Sequence, residues 1–85
     1  MTNTELKRIY RTAAKAKAAS EAAIMNDAIT EAECDAIVDA ECDALDRLVD
    51  ALMVFTMGQL TERDARNLAY SRFERVGELI ARLAA

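Results

Sequence analysis

The sequence predicts an all-α protein: an antiparallel bundle of three helices in one domain that spans residues 1–85. The chain has no proline and only two glycines, so few residues oppose long helices. Three segments carry apolar residues at i, i+3, i+4 and i+7, the spacing of helices that bury one face. A threonine followed three residues later by an acidic residue precedes each segment, as at helix N-termini.

The first helix is predicted near residues 3–29. Thr2 and Glu5 have the spacing of a capping box, in which each side chain accepts a hydrogen bond from the backbone N–H of the other residue. The apolar stripe starts at Leu6 and passes through small residues between positions 13 and 23, which would let a neighbouring helix approach closely. The opposite side carries four basic residues, Lys7, Arg8, Arg11 and Lys15.

The second helix is predicted near residues 31–57. Thr30 and Glu33 repeat the capping spacing, and Gly58 suits the left-handed conformation that ends many helices. The apolar stripe of this segment is Cys34, Ile37, Ala44, Leu45, Leu48, Ala51, Leu52 and Phe55.

The third helix is predicted near residues 62–83 and begins after Thr61, with Asp64 as its weaker capping partner. A single apolar stripe runs from Ala65 to Leu83. Because the connections between the helices are short, sequential neighbours are expected to be antiparallel.

Large apolar side chains are scarce in this chain. Hydrophobic residues make up 53%, but many are alanine, and there are only two Phe, two Tyr and no Trp. Small domains often bury additional surface by oligomerising, so completion of the bundle by a homodimer stays open. Seven residues are expected to be buried: Leu6, Ile9, Leu48, Leu52, Phe55, Leu79 and Leu83.

Five aspartates form a line along the second predicted helix, and we call them the acidic ridge: Asp35, Asp39, Asp43, Asp46 and Asp50. At about 100° per residue, all five fall within a sector of roughly 80° along about 22 Å of helix axis. Like charges at i and i+4 destabilise an isolated helix by roughly 0.2–0.5 kcal/mol per pair. Arg47 is the only base between Glu31 and Met57. The acidic ridge is therefore the candidate partner-binding surface.

Three interpretations of the acidic ridge stay open. It is a solvated face that maintains solubility, a docking surface for a basic groove on another protein, or a partner for the basic residues of helix one in a second copy. The net charge is −4, and residues 30–57 alone carry eight acids and one base, a net −7. Direct nucleic-acid binding is not expected, because a phosphate backbone requires the opposite charge. Mimicry of a nucleic acid would be the strongest form of docking.

The sequence lacks the residues of common catalytic and cofactor sites. Histidine is absent, which removes the commonest general base and metal ligand. There is no glycine-rich phosphate loop and no CxxC pair. We expect no enzymatic activity, no cofactor and no metal centre. Loose binding of Mg²⁺ or Ca²⁺ by adjacent aspartates at the surface is the alternative.

The two cysteines and the N-terminus favour a cytoplasmic location. Cys34 and Cys42 lie about 12 Å apart along one predicted helix and cannot form a disulfide with each other there. Two free thiols suit a reducing compartment. The polar start of the chain predicts no signal peptide, and no apolar run approaches the ~18 residues of a membrane span. No membrane association is expected.

In general type, the acidic ridge and the lack of a catalytic set resemble the short, acidic, all-helical proteins with which phages and prophages inhibit host defence, anti-CRISPR proteins among them. The resemblance implies a stoichiometric inhibitor that occupies a nucleic-acid-binding surface of a partner protein in the host cytoplasm. It carries over no individual functional residue. The alternative is a structural homo-oligomer whose acidic face only maintains solubility.

Overall fold

The computed structural model describes residues 1–84 and contains four helices: α1 (Asn3–Ile24), α2 (Glu31–Phe55), α3 (Glu62–Ser71) and α4 (Phe73–Leu83). No strand occurs in these 84 residues. The all-α class is confirmed. The helix count differs from the prediction, because the expected third helix is divided in two. No helix in residues 1–84 combines the length and the apolar character needed to cross a membrane.

The threonine caps predicted from the sequence all form. Thr2 Oγ1 accepts a hydrogen bond from the backbone N–H of Glu5 (3.1 Å), and Glu5 Oε2 accepts one from the Thr2 N–H (3.4 Å), which completes a capping box. Thr30 and Thr61 each accept a hydrogen bond from the N–H three residues later, at 3.2 Å in both cases. Local sequence therefore determines where α1, α2 and α3 begin.

Helix α1 ends at Ile24, five residues before the predicted end. Asn26 Oδ1 accepts a hydrogen bond from the Ala28 N–H (3.0 Å), and the Asn26 carbonyl accepts one from the Ile29 N–H (3.2 Å). An asparagine side chain that bonds the backbone two residues ahead offers the chain a turn in place of a helix. Residues 25–29 therefore belong to the connection between α1 and α2.

Helix α2 ends at Phe55 in a Schellman motif, two residues before the predicted end. The N–H of Gly58 donates to the Met53 carbonyl (2.9 Å), and the N–H of Met57 donates to the Val54 carbonyl (3.1 Å). Both Met57 (φ 55°) and Gly58 (φ 82°) are left-handed. Gly58 has the predicted conformation, but a methionine occupies the first left-handed position, where a Cβ is unfavourable.

The predicted third helix is interrupted at Arg72, whose backbone (φ −136°, ψ 47°) is not helical. Neither glycine nor proline lies at this point, and no side chain caps the start of α4. The cause is tertiary: α4 turns back against α1, and the Phe73 ring stacks on Tyr10 with centroids 5.4 Å apart. A Cβ at Gly77 would lie 2.8 Å from the Tyr10 hydroxyl, so glycine permits this approach without a shift of the tyrosine ring.

The helices pack around α2. Helix α1 lies along α2, α3 packs against α2, and α4 contacts α1 and α3. Of the residues expected to be buried, three are fully enclosed and three partly buried, while Leu83 is exposed. The enclosed three are Leu6, Leu48 and Leu52. The partly buried three are Ile9, Phe55 and Leu79.

The core occupies only one half of an elongated molecule, whose extents are 43 × 23 × 19 Å. All six buried residues of α2 lie between Ala44 and Leu52, and none lies in residues 31–43. We call residues 16–43, which comprise the end of α1, the connection and the first half of α2, the distal arm. Helices α3 and α4 cover the other half of the α1–α2 hairpin.

Replacing Leu48 with alanine should lower the free energy of unfolding by about 2–5 kcal/mol, because the side chain is fully buried and its removal leaves a cavity. Urea denaturation followed by circular dichroism measures the change. The matched control is Val54→Ala on the same helix, where the side chain is 59% exposed. That variant should stay within about 0.5 kcal/mol of the parent protein.

Replacing Met57 with glycine should raise the free energy of unfolding by roughly 1 kcal/mol, because glycine has no Cβ to clash in the left-handed conformation. The side chain is 92% exposed, so little packing is lost. Met57→Ala, which keeps the Cβ, should give no such gain in the same denaturation experiment. Equal stability of the two variants would contradict this explanation.

Candidate protein-binding surface

All five residues of the acidic ridge are exposed in the structure. They lie on α2 on the side opposite its buried leucines, as the helical spacing requires. Asp35 and Asp39 belong to the distal arm, and Asp43 lies at its boundary with the covered half. Asp46 and Asp50 follow in the half that α3 covers. The predicted line of carboxylates is thus present along the outer side of α2.

Asp46 differs from the other four ridge residues because two side chains of α3 contact its carboxylate. The Tyr70 hydroxyl donates a hydrogen bond to Asp46 Oδ1 at 2.6 Å and lies 3.3 Å from the Cys42 carbonyl oxygen. Arg66 Nη1 lies 3.4 Å from the same Asp46 oxygen, and Arg66 Nε lies 3.4 Å from Glu62 Oε1. A tyrosine and an arginine of α3 therefore bind one ridge carboxylate at the surface of the protein.

The hydrogen bonds around Asp46 and Glu62 shift the pKa values of Tyr70 and Arg66. The hydrogen bond to Asp46, with a smaller effect of burial, raises the pKa of Tyr70 to about 12. The hydrogen bond to Glu62, together with the nearby negative charges, raises the pKa of Arg66. Tyr70 is therefore a neutral donor and Arg66 a cation throughout the physiological range of pH.

The other four ridge carboxylates have no such partner. Three ion pairs occur in residues 1–84, Lys17–Glu21, Arg66–Asp46 and Arg66–Glu62. None of them includes Asp35, Asp39, Asp43 or Asp50. These four carboxylates are exposed to solvent and are not neutralised by a cation of the described chain within 4.0 Å.

Negative charge is concentrated in the distal arm. Residues 16–43 contain eight acids and one base, a net −7, whereas residues 1–15 carry one acid and four bases, a net +3. Residues 44–85 carry six acids and six bases and have a net charge of zero. The −7 and the +3 of the other two segments therefore give the total charge of −4. The half of the hairpin that lacks a core is therefore also the acidic half.

An apolar row runs beside the acidic ridge, and only its first residue, Cys34, belongs to the stripe predicted from the sequence. Cys34, Val38 and Cys42 follow one another at i, i+4 and i+8, so they share a face of α2. Asp35, Asp39 and Asp43 each come one position later and lie about 100° further round the helix. Both cysteines are free, with Cys42 exposed and Cys34 partly buried. Helical spacing places Val38 on the same side of α2 as the buried residues Leu45 and Val49, so the sequence pattern could have revealed it.

The basic residues of α1 form a second charged surface. Lys7, Arg8, Arg11 and Lys15 are all exposed, and none belongs to an ion pair in the described residues. They lie on α1 opposite Leu6 and Ala13, which are fully buried. The basic surface and the acidic ridge thus face outward from different helices.

No metal site emerges from the positions of the side chains. In residues 1–84 no group of three or more Cys, Asp or Glu side chains is placed to hold a metal ion together. Successive ridge aspartates are spaced along the helix axis, and their neighbours on the apolar row are not oxygen ligands. The arrangement gives no support to binding of Mg²⁺ or Ca²⁺ at the ridge.

Replacing Asp46 with asparagine should return the pKa of Tyr70 from about 12 toward its ordinary value of 10.0, because the charged acceptor is lost. Ultraviolet titration in a Tyr10→Phe background isolates this tyrosine. Since the unfolded chain releases the proton first, the stability from this contact is complete below pH 10 and is lost as pH rises to about 12. Asp43→Asn removes the same charge without touching Tyr70 and should leave the titration unchanged.

Comparison with known proteins does not assign this chain to a family. No family model matches it, and neither a curated protein nor a solved structure matches it. Its function is therefore inferred from the charges, burial and contacts of its own residues.

Proposed function

We propose that this protein is a non-enzymatic binding module that presents the acidic ridge to a basic, nucleic-acid-binding surface of another protein and inhibits it stoichiometrically. The observation that carries the proposal is the set of four exposed ridge carboxylates without a cation partner in the described chain. A line of like charges that the fold does not neutralise is suited to a positive partner.

The spacing of the ridge supports competition with a nucleic acid. Neighbouring carboxylates stand about 5 Å apart along the axis of α2, whereas one strand of duplex DNA presents a phosphate about every 3.4 Å. The two spacings are of the same order. A groove that has evolved to bind phosphates would therefore meet a comparable, although sparser, row of negative charges.

The concentration of charge in the distal arm supports a rapid and salt-sensitive encounter. Charges within one Debye length, about 8 Å at physiological ionic strength, act on the partner together. Successive ridge carboxylates lie about 5 Å apart along α2, within one Debye length of each other, and belong to the net −7 of residues 16–43, while the +3 of residues 1–15 lies at the other end of α1. This asymmetry would orient the protein as it approaches a basic groove.

The remaining features support a binding role in the host cytoplasm. The chain has no histidine to act as a general base, and its two cysteines are free thiols, which suit a reducing compartment. An inhibitor that acts by occupying a surface requires neither a catalytic group nor a cofactor. The partner would be a nucleic-acid-handling complex such as a CRISPR effector.

One observation favours the second candidate function, a structural homo-oligomer. Val54 and Met57 at the end of α2 are 59% and 92% exposed, and exposed apolar side chains commonly pack at interfaces between copies. Sedimentation at several salt concentrations separates the two candidates. Apolar self-association should persist at high salt, whereas docking of the acidic ridge should weaken.

The triple variant Asp35→Asn, Asp39→Asn, Asp43→Asn should weaken inhibition of a nucleic-acid-guided nuclease by more than about tenfold, because it removes the carboxylates that no cation neutralises. The measurement is cleavage of target DNA against inhibitor concentration, at two salt concentrations. The variant should also depend less steeply on salt. Asp46 is left intact because it anchors α3 through Tyr70 and Arg66.

The control is the triple variant Asp64→Asn, Glu74→Gln, Glu78→Gln on α3 and α4. It changes the net charge equally, from −4 to −1, at three exposed positions away from the ridge. Inhibition should remain close to that of the parent protein. If both triple variants lose inhibition to the same extent, overall charge explains the effect and the ridge is only a solvated face.

A further inference from the structure

We propose that the distal arm accepts an amphipathic helix of the partner protein, with an apolar stripe toward the arm and lysine or arginine on its flanks. This inference rests on the proposed function and specifies the partner element that the acidic surface would bind. Its basis is the side of the α1–α2 pair that α3 and α4 cover in one half of the molecule and leave as an open groove in the other.

The contacts of α3 and α4 show where the filled half ends. Helix α3 reaches Cys42 through the Tyr70 hydroxyl, 3.3 Å from the Cys42 carbonyl oxygen. Helix α4 reaches Lys17, whose Nζ lies 5.6 Å from the centre of the Phe73 ring. Beyond these contacts, in residues 31–43, no side chain of α2 is buried. The groove that α3 and α4 fill therefore continues uncovered along the distal arm.

The open half is lined by apolar side chains that the fold leaves without a complete cover. Val38 is 36% exposed and Ile24, on the last turn of α1, is 71% exposed. Cys34, one turn before Val38 on the same face of α2, is only partly buried. Ser20 and Ala23 of α1 are buried, which indicates that the two helices of the arm are closely packed and that the exposed apolar residues lie at the edge of their contact.

The dimensions suit a short helix. Residues 31–42 of α2 extend over about 16 Å, which corresponds to about three turns of a helix laid alongside. Parallel or antiparallel helices pack with their axes about 8–10 Å apart. In the covered half α3 packs against α2. A helix of the partner in the open half would extend the same packing to the end of the hairpin.

The charge of the distal arm selects a basic occupant. The arm carries a net −7, so a helix lying in its groove is flanked by carboxylates such as Asp35 and Asp39. A second copy is a poor occupant: its distal arm would bring another −7, and its basic helix α1 already buries Leu6 and Ala13 in its own core. A basic amphipathic helix of another protein provides both the apolar stripe and the opposite charge.

The probe for this surface is a synthetic peptide of about 14 residues with leucine and alanine at helical i, i+3, i+4 spacing and lysine elsewhere. A scrambled peptide of identical composition lacks the stripe but keeps the charge. Fluorescence anisotropy of labelled peptides measures binding to the protein of residues 1–85. The striped peptide should bind at least about tenfold more tightly than the scrambled one, because only it can bury an apolar face in the groove.

The variant Ile24→Gln, Val38→Gln tests the groove without changing charge. It should weaken binding of the striped peptide by about tenfold or more, because both apolar contacts are lost. The matched control, Val54→Gln, Met57→Gln, removes two exposed apolar side chains of the covered half and should change binding by less than about twofold. Circular dichroism checks that both variants keep the helical content of the parent protein.

The possible results are distinguishable. Equal binding of striped and scrambled peptides, or no loss in the Ile24→Gln, Val38→Gln variant, would overturn the helix-binding groove and leave the proposed ridge function intact. Unchanged nuclease inhibition by the ridge triple variant would instead refute the proposed function. A concentration-dependent dimer that Ile24→Gln, Val38→Gln dissociates would identify a second copy as the occupant and also overturn the inference.

Discussion

The stacking of Phe73 on Tyr10 is the contact on which the rest of the architecture depends. It holds α4 against α1, so the chain from Glu62 to Leu83 doubles back instead of following α2 to its beginning. The small residue at Gly77 allows the approach, since a Cβ there would meet the tyrosine hydroxyl. As a result, the core lies beside residues 44–52, and the distal arm remains a pair of helices with a groove between them.

Fold and candidate function share the acidic ridge. Asp46 is bound to Tyr70 and Arg66 and so contributes to the docking of α3. The unpaired carboxylates, by contrast, contribute repulsion along α2 that no contact of the described chain relieves. A single helix face thus carries one residue that stabilises the structure and four that cost it a little stability. A small loss of folding stability of this kind is tolerated when the residues serve another purpose or remain well solvated.

The sequence predicted the elements that short-range chemistry controls. The three threonine caps depend on residues three positions apart, and the ridge depends on helical periodicity, so both could be inferred without a structure. The break at Arg72 could not be inferred, because no residue there opposes a helix and its cause is an aromatic contact more than sixty residues distant in sequence. The same holds for Asp46, whose partners lie 20 and 24 residues away. Val38 could have been inferred, because helical spacing places it on the same side of α2 as Leu45 and Val49, yet it was left out of the predicted stripe.

The uneven distribution of the core has a consequence for how the molecule fluctuates. Segments with few buried side chains open at a lower free energy than the whole domain, so backbone amides of the distal arm should exchange with solvent deuterium while those beside Leu48 and Leu52 are still protected. A partner that binds in the groove of the distal arm would then suppress this local unfolding. Part of its binding energy would be spent on ordering the two helices, which makes the affinity sensitive to any residue that stiffens or loosens the hairpin.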